Sequence, residues 1–147
     1  MIPYLQLNRT TDGVIDADDT VMFDNVLSSM GNQISYDTIT GEITLSEAGY
    51  YYFDWFVAPQ FGLTSDGSNF AIVTSDNDPP LTGSSHVRVS PTIGFAIIEV
   101  TTPDKTIRLI NTSDNSITLS QAVNVKAALA AFAIAGSDTS AEEDSDI

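Results

Sequence analysis

The residue types that usually carry out enzyme chemistry are sparse in this chain. It has no cysteine and a single histidine, His86, so a zinc site or a catalytic thiolate would lack its ligands. No serine stands in a Gly-x-Ser-x-Gly motif, and no glycine-rich phosphate-binding loop occurs. Carboxylate pairs able to hydrolyse a glycoside are compatible with the composition, but no pair stands apart. We therefore predict no catalytic residue and interpret His86 as a loop or strand-edge residue.

Two acidic clusters carry the hard oxygen ligands that calcium prefers. They are Asp16–Asp19 and Asp76–Asp78, and both fall between predicted strands. Neither has the alternating aspartate spacing, ending in glycine, of a dedicated calcium loop. We interpret both clusters as solvated turns, with calcium as the alternative, and predict no metal-ligating residue and no other cofactor.

Composition and charge disfavour two classes of partner and indicate a fold class. The 147 residues include 20 acidic and five basic side chains, a net charge of −15, which disfavours nucleic acid as a partner because phosphates would be repelled. No apolar run is long enough to span a membrane, so no membrane association is predicted. Aspartate outnumbers glutamate 15 to five. Because aspartate favours turns and glutamate favours helices, this composition is typical of a loop-rich β protein.

Short apolar runs separated by turn residues recur from end to end, which is typical of a β-sandwich or jelly roll. The segment 127–135 is the exception, because its alanines favour a helix, yet Val123 and Val125 alternate with polar residues just before it. We predict a strand there. The expected strands lie near residues 4–7, 21–27, 34–36, 42–45, 50–58, 70–73, 87–89, 93–100, 106–109, 117–119 and 127–135. They form one domain, residues 1–136, followed by an acidic tail, residues 137–147.

Two of these strands have apolar side chains on both faces. In the aromatic strand, Tyr51, Phe53, Trp55 and Val57 share one parity and can fill the sandwich interior. The opposite parity would then be exposed in a monomer, and a patch of that size is usually covered by a partner. The alternative is that each strand is enclosed between two layers of one monomer. We predict an obligate oligomer whose interface contains Tyr50, Tyr52, Phe56, Ala128, Ala130, Phe132 and Ile134.

Several motifs occur in a recognisable order. A Tyr-Asp turn at Tyr36 precedes Thr-Gly-x-apolar at Thr40–Ile43, and Gly-x-Tyr-x-Phe follows at Gly49–Phe53. In this the chain resembles the tumour-necrosis-factor-like (TNF-like) jelly rolls, which include complement heads. Further on, 107–113 and 117–119 resemble the C-terminal heads of bacterial collagen-like surface proteins. The resemblance implies an all-β, ten-stranded antiparallel jelly-roll sandwich that forms a homotrimer and binds partners without catalysis. Some relatives carry calcium near the trimer axis, but no ligand motif carries over here.

The leading functional hypothesis is a trimeric structural protein that decorates the exterior of a viral capsid, with itself and a capsid or surface protein as partners. The alternative is a receptor- or carbohydrate-binding head of a spore, cell-surface or tail-fibre protein. That alternative requires an exposed aromatic residue near a loop tip. The candidates are Phe61 with its neighbour Leu63, and Trp55 if its side chain faces outward.

Overall fold

The computed structural model describes residues 2–60, 67–86 and 90–134. In these ranges the chain forms twelve strands, and none of the described segments is a helix capable of crossing a membrane. The strands are β1 (Tyr4–Arg9), β2 (Val14–Ile15), β3 (Asn25–Met30), β4 (Ile34–Tyr36), β5 (Ile43–Leu45), β6 (Gly49–Val57), β7 (Ser68–Thr74), β8 (Leu81–Ser85), β9 (Thr92–Val100), β10 (Lys105–Asn111), β11 (Ile117–Thr118) and β12 (Ala127–Ile134).

Ten of the strands form two five-stranded sheets. Sheet I has the order β3-β1-β12-β6-β9, and sheet II has the order β4-β5-β10-β7-β8. Neighbouring strands in both sheets are antiparallel. The remaining pair, β2 and β11, forms a separate two-stranded ribbon. The predicted all-β, ten-stranded antiparallel jelly-roll sandwich is confirmed.

The core lies between the two sheets, and in strands such as β6, β9 and β12 it is built from alternate residues. In β6 the buried side chains are Tyr51, Phe53, Trp55 and Val57, which are the residues expected to face inward. They pack with residues of sheet II such as Phe70, whose ring centroid lies 6.4 Å from that of Trp55 in an edge-on arrangement. An interior filled by such bulky side chains excludes water and provides the main free energy of folding.

The alanine-rich segment is a strand, as predicted. β12 pairs with β1 on one side and with β6 on the other, so it lies in the middle of sheet I. Its alternate residues Ala127, Leu129, Ala131 and Ala133 are buried in the core. Tertiary pairing therefore overrides the intrinsic preference of alanine for helices.

Some boundaries differ from the prediction. The strand expected from Val21 begins only at Asn25. The Val21 N–H instead donates to the carbonyl of Leu109 in β10 (2.7 Å), away from β1, with which β3 pairs. An unpredicted two-residue strand, β2, lies directly before the acidic cluster Asp16–Asp19. An unpredicted strand, β8, covers Leu81–Ser85, whose Thr-Gly-Ser-Ser composition is typical of a loop. The strand expected at 87–89, residue 135 of the expected last strand and the tail 137–147 lie outside the described residues.

Candidate interaction surface

The outward side of sheet I is the most unusual surface of the described molecule. Large apolar side chains from its strands are exposed there instead of buried. We call this surface the apolar face. Its residues are Tyr4, Gln6, Asn8, Asn25, Leu27, Ser28, Met30, Tyr50, Tyr52, Asp54, Phe56, Ile93, Phe95, Ile97, Glu99, Ala128, Ala130, Phe132 and Ile134.

All seven side chains predicted for an oligomer interface lie on the apolar face. Strand register places Phe132 beside Tyr52, with ring centroids 5.4 Å apart, and places Ala128 beside Phe56. Ile134 lies beside Tyr50 in the same way. The members from β6 and β12 therefore form one continuous strip along the centre of the sheet. Whether another molecule covers this strip stays a prediction.

The most exposed large apolar side chains of this face lie on β9, outside the predicted set. On β9, Ile93, Phe95 and Ile97 are 63%, 71% and 61% exposed, each more than any residue of the predicted set. Their inward neighbours on the same strand include Gly94 and Ala96, which are too small to form a core by themselves. This alternation of large and small apolar residues was the available signal. By itself, however, it does not say which set faces inward.

Trp55 decides the orientation of β9. A Cβ atom on Gly94 would lie 2.2 Å from Trp55 Cζ2, and one on Gly83 would lie 2.9 Å from Trp55 Cη2. The indole therefore fits only where neighbouring strands present glycine, and Gly94 must face it. Once Gly94 faces inward, alternation forces Phe95 outward. Trp55 is 2% exposed, so the hypothesis that it is a surface recognition aromatic is wrong.

The outward side of sheet II provides a direct contrast. Its outer strands β4, β5 and β8 present short polar side chains there: Ser35, Thr82 and Ser84 are exposed and Thr44 is half-buried. The apolar side chains of its central strands on this side, Ala71 and Ile110, are buried. An antiparallel sheet with one face in the core and one in water normally has this pattern. Sheet I departs from that pattern, since both of its faces are apolar, which is the composition of a sheet covered on both sides.

A hollow interrupts the apolar face near its centre. It has a volume of about 360 Å³ and is floored by Ala128 and Ala130, whose small side chains leave space above the strand. Leu27 and Phe56 form walls on either side, and Asp54 contributes a carboxylate. The lining is mostly apolar, with convergent polar groups at its edge.

Charge is nearly absent from the apolar face. Among its described residues only Asp54 and Glu99 are ionisable acids, although the whole chain carries −15. Asp54 lies between Ala130 and Phe95 in the strand register. Its carboxylate makes no hydrogen bond or ion pair with any described residue.

Comparison with known proteins identifies the fold. No family model matches the chain, and no curated protein matches its sequence. Among solved structures, the globular domain of a zebrafish complement 1qA protein aligns with a TM-score of 0.66 at 14% identity, over 90% of this chain and 97% of that one. PRD1 vertex protein P5 aligns at 0.61 and 15% identity (90% and 96%), and Eiger TNF from S. frugiperda at 0.58 and 11% (94% and 94%).

The fold is the TNF-like jelly roll. The fold that the resemblance implied is thereby confirmed. The nearer resemblance to bacterial collagen-like heads stays a prediction, and so does the trimer, because identities of 10–15% establish the fold alone.

The basic side chains that the structure describes serve the fold of the chain itself. Lys105 is buried, and its Nζ contacts Asp78 Oδ2 (2.7 Å), Asp76 Oδ2 (3.1 Å) and Glu99 O (2.8 Å). Burial by itself lowers the pKa of Lys105, but the hydrogen bonds and charges of the two aspartates outweigh it, so the pKa is raised. The hydrogen bonds from Lys105 and Thr74 lower the pKa of Asp78.

The other described cations are also engaged internally. Lys126 is buried and contacts Asp12 and the Val123 carbonyl, Arg9 donates to three backbone carbonyls, and Arg108 donates to Thr20 Oγ1. The fifth basic residue, Arg88, lies outside the described residues. The described surface is therefore acidic with no free lysine or arginine, and the apolar face carries only two of its carboxylates.

The remaining predicted sites receive little support or no test. His86 follows the end of β8 and is exposed, as expected of a strand-edge residue. Asp76 and Asp78 are paired with Lys105 instead of being merely solvated, and Asp16 accepts a hydrogen bond from Ser116 Oγ. Within the described ranges no three acidic or histidine side chains converge as metal ligands would. Phe61 and Leu63 lie outside the described residues, and the calcium alternative stays untested.

Proposed function

We propose that this protein is a non-enzymatic interaction module that forms a homotrimer and decorates the exterior of a viral capsid. The observation that carries the proposal is the apolar face. It extends across sheet I from Met30 and Tyr4 through Phe132 and Tyr52 to Ile97, strand by strand in register. Soluble monomers rarely leave so continuous an apolar surface in water.

The energetics favour covering this face. Fully burying one large aliphatic or aromatic side chain is worth roughly 1.5–3 kcal/mol. Three side chains of β9 alone are more than half exposed, and partners on β6 and β12 add to them. Association costs translational, rotational and side-chain freedom, and burial of several such residues together offsets this cost.

A second copy of the chain is the partner that the charges favour. Any approaching copy carries −15, and a face rich in carboxylates would repel it. The apolar face has only two carboxylates to do so, whereas most of the other described acidic residues lie in the turns. When two copies contact each other through this face, most carboxylates of one copy stay far from those of the other, at distances where salt screens their repulsion.

The trimer and the capsid are supported by likeness of fold. One similar solved structure is by its name a vertex protein, and the others are a complement globular domain and a TNF. A threefold-symmetric module suits the local threefold axes of an icosahedral shell. Because the exposed surface is acidic, the capsid surface that receives it should be neutral or basic.

The receptor- or carbohydrate-binding alternative has lost one of its two supports. It required an exposed aromatic platform, and Trp55 is buried in the core. Its other candidates, Phe61 and Leu63, lie outside the described residues, so no described residue favours it.

Two measurements test the proposal. Analytical ultracentrifugation of the purified chain should give the mass of three copies at micromolar concentration. Density-gradient fractions from the source culture, probed with an antibody against the folded protein, should contain it in particle fractions at a multiple of three copies per shell. A stable monomer, or a trimer that is consistently absent from particles, would contradict the trimer or the capsid role respectively.

A further inference from the structure

The apolar face contains a projection and a depression of matching character. Building on the self-association proposed above, we infer that copies pack head-to-tail, with Phe95 of one copy seated in the hollow above Ala128 and Ala130 of the next. This assigns the occupant of the hollow to a second copy of this chain and names the side chain that fills it.

Phe95 has the properties of an anchor. It is 71% exposed, the largest exposure of any aromatic among the described residues. β9 is the outermost strand of sheet I on its side, so Phe95 stands at the margin of the face. Its inward neighbour Gly94 is held against Trp55, which fixes the strand below it. A rigid, exposed aromatic on a fixed strand loses little conformational entropy on binding, as in interface hot spots.

The hollow has the size and lining to receive a phenyl ring. A dry apolar cavity of about 150 Å³ accommodates a benzene ring, and the hollow measures about 360 Å³. Its floor consists of alanine side chains, and Leu27 and Phe56 can contact the faces of an inserted ring. Two further lining residues, Gln6 and Asn8, supply amide donors at the rim.

Strand geometry separates the projection from the depression within one molecule. Phe95 on β9 and Ala130 on β12 flank Asp54 of β6, so they lie two strand spacings apart, roughly 10 Å. Phe95 therefore cannot fill the hollow of its own chain. Each copy offers one projection and one depression at different parts of the face, which defines a heterologous contact. Such contacts use every projection and every depression when they close into a ring.

Two substitutions remove the two halves of the contact. Phe95→Ala removes the projection, and Ala130→Trp fills the depression. Each should weaken the wild-type trimer at least about tenfold, measured by sedimentation equilibrium. The matched controls are Ile39→Ala, which removes an apolar side chain that is 86% exposed in a turn, and Thr82→Trp, which adds an indole to the outward side of sheet II. Both controls should leave the trimer intact.

Mixing the variants tests complementarity. A Phe95→Ala copy keeps its hollow, and an Ala130→Trp copy keeps its Phe95, so an equimolar mixture contains one functional pair. We expect the mixture to form a complex of two copies while each variant alone does not. Circular dichroism should give the same strand signal for all variants. If Ala130→Trp failed to fold, Phe95→Ala with its control would still decide the inference.

The outcomes separate this inference from the proposed function. A monomeric wild-type chain would overturn both. A wild-type trimer that persists in Phe95→Ala and Ala130→Trp would overturn only the seating of Phe95. A wild-type dimer would overturn the head-to-tail arrangement, because two copies would then be related by an isologous contact.

Discussion

Lys105 connects the two sheets through its ammonium group. The residue belongs to β10 in sheet II, while its backbone acceptor, Glu99, belongs to β9 in sheet I. Asp76 and Asp78, on the loop between β7 and β8, neutralise the buried charge. The aspartates were interpreted as a solvated turn, because a sequence does not reveal that a lysine 27 residues after Asp78 folds back beneath them.

Lys105→Met should destabilise the fold. Removing a charged donor from a buried network costs roughly 1–3 kcal/mol, and the Glu99 carbonyl would lose its donor. The measurement is the free energy of unfolding in urea at neutral pH. Asp114→Asn, at an exposed carboxyl with no hydrogen bond to the described residues, is the control and should change little.

The same network should shape the pH dependence of stability. The folded pKa of Asp78 lies below its unfolded value of about 3.9, so its contribution is present above that pH and is lost as pH falls through the folded value. The folded pKa of Lys105 lies above about 10.4, so its contribution is lost as pH rises through that higher value. The difference between wild type and Lys105→Met should be largest between these limits. A difference independent of pH would contradict this account.

At the scale of the element, β9 is the strand that adds the most exposed large apolar side chains to the apolar face. Its inward side pairs glycine and alanine with the aromatic residues of β6, and Gly94 lies opposite Trp55 in register. The bulk of one side chain thus determines which face of the adjacent strand points outward. The buried Trp55 Nε1 has no hydrogen-bond acceptor among the described residues, so packing instead of hydrogen bonding holds the indole.

Gly94→Ala should therefore destabilise the domain strongly. The added Cβ would overlap the indole ring, and overpacking of a core typically costs about 1–3 kcal/mol. Urea unfolding followed by the fluorescence of Trp55, the single tryptophan, reports the change directly. Thr82→Ala on the neighbouring strand β8 is the control. If Gly94→Ala were neutral, the close approach of Trp55 to β9 would be wrong.

At the scale of the whole molecule, charge is distributed unevenly between the surfaces. Acidic residues occupy the turns, the described basic residues are engaged internally, and the apolar face retains only Asp54 and Glu99. Asp54 lies beside the proposed seat of Phe95, so association would move this carboxylate out of water. No described basic side chain is free to pair with it, and a buried unpaired charge is costly.

Asp54→Asn should strengthen self-association. The amide keeps the shape of the side chain and removes the charge, and we expect the assembly to tighten about tenfold, equivalent to roughly 1.4 kcal/mol. Sedimentation equilibrium measures the change, with Asp114→Asn as a control that alters the net charge equally. Weaker association of Asp54→Asn would instead mean that the carboxylate accepts hydrogen bonds across the interface.

The periodicity of the chain was sufficient to predict the all-β class, the parity of β6 and the strand at Ala127–Ile134. Alternation along a strand is a local property, and burial of one side follows from the side chains themselves. The strand β8 and the exposed side chains of β9 on the apolar face were not predicted. Each strand has a glycine packed against Trp55, Gly83 in β8 and Gly94 in β9, and these glycines follow Trp55 by 28 and 39 residues in the chain.

The sequence alone determined that two strands have apolar side chains on both sides, because this property can be seen in consecutive residues of each strand. Only the tertiary structure decided that these strands are neighbours in one sheet, that β9 extends their outward side, and that Lys105 takes up the charge of an acidic turn. The physical reason is that pairing and packing join residues far apart in the chain, and no local pattern records which distant side chain fills a given space.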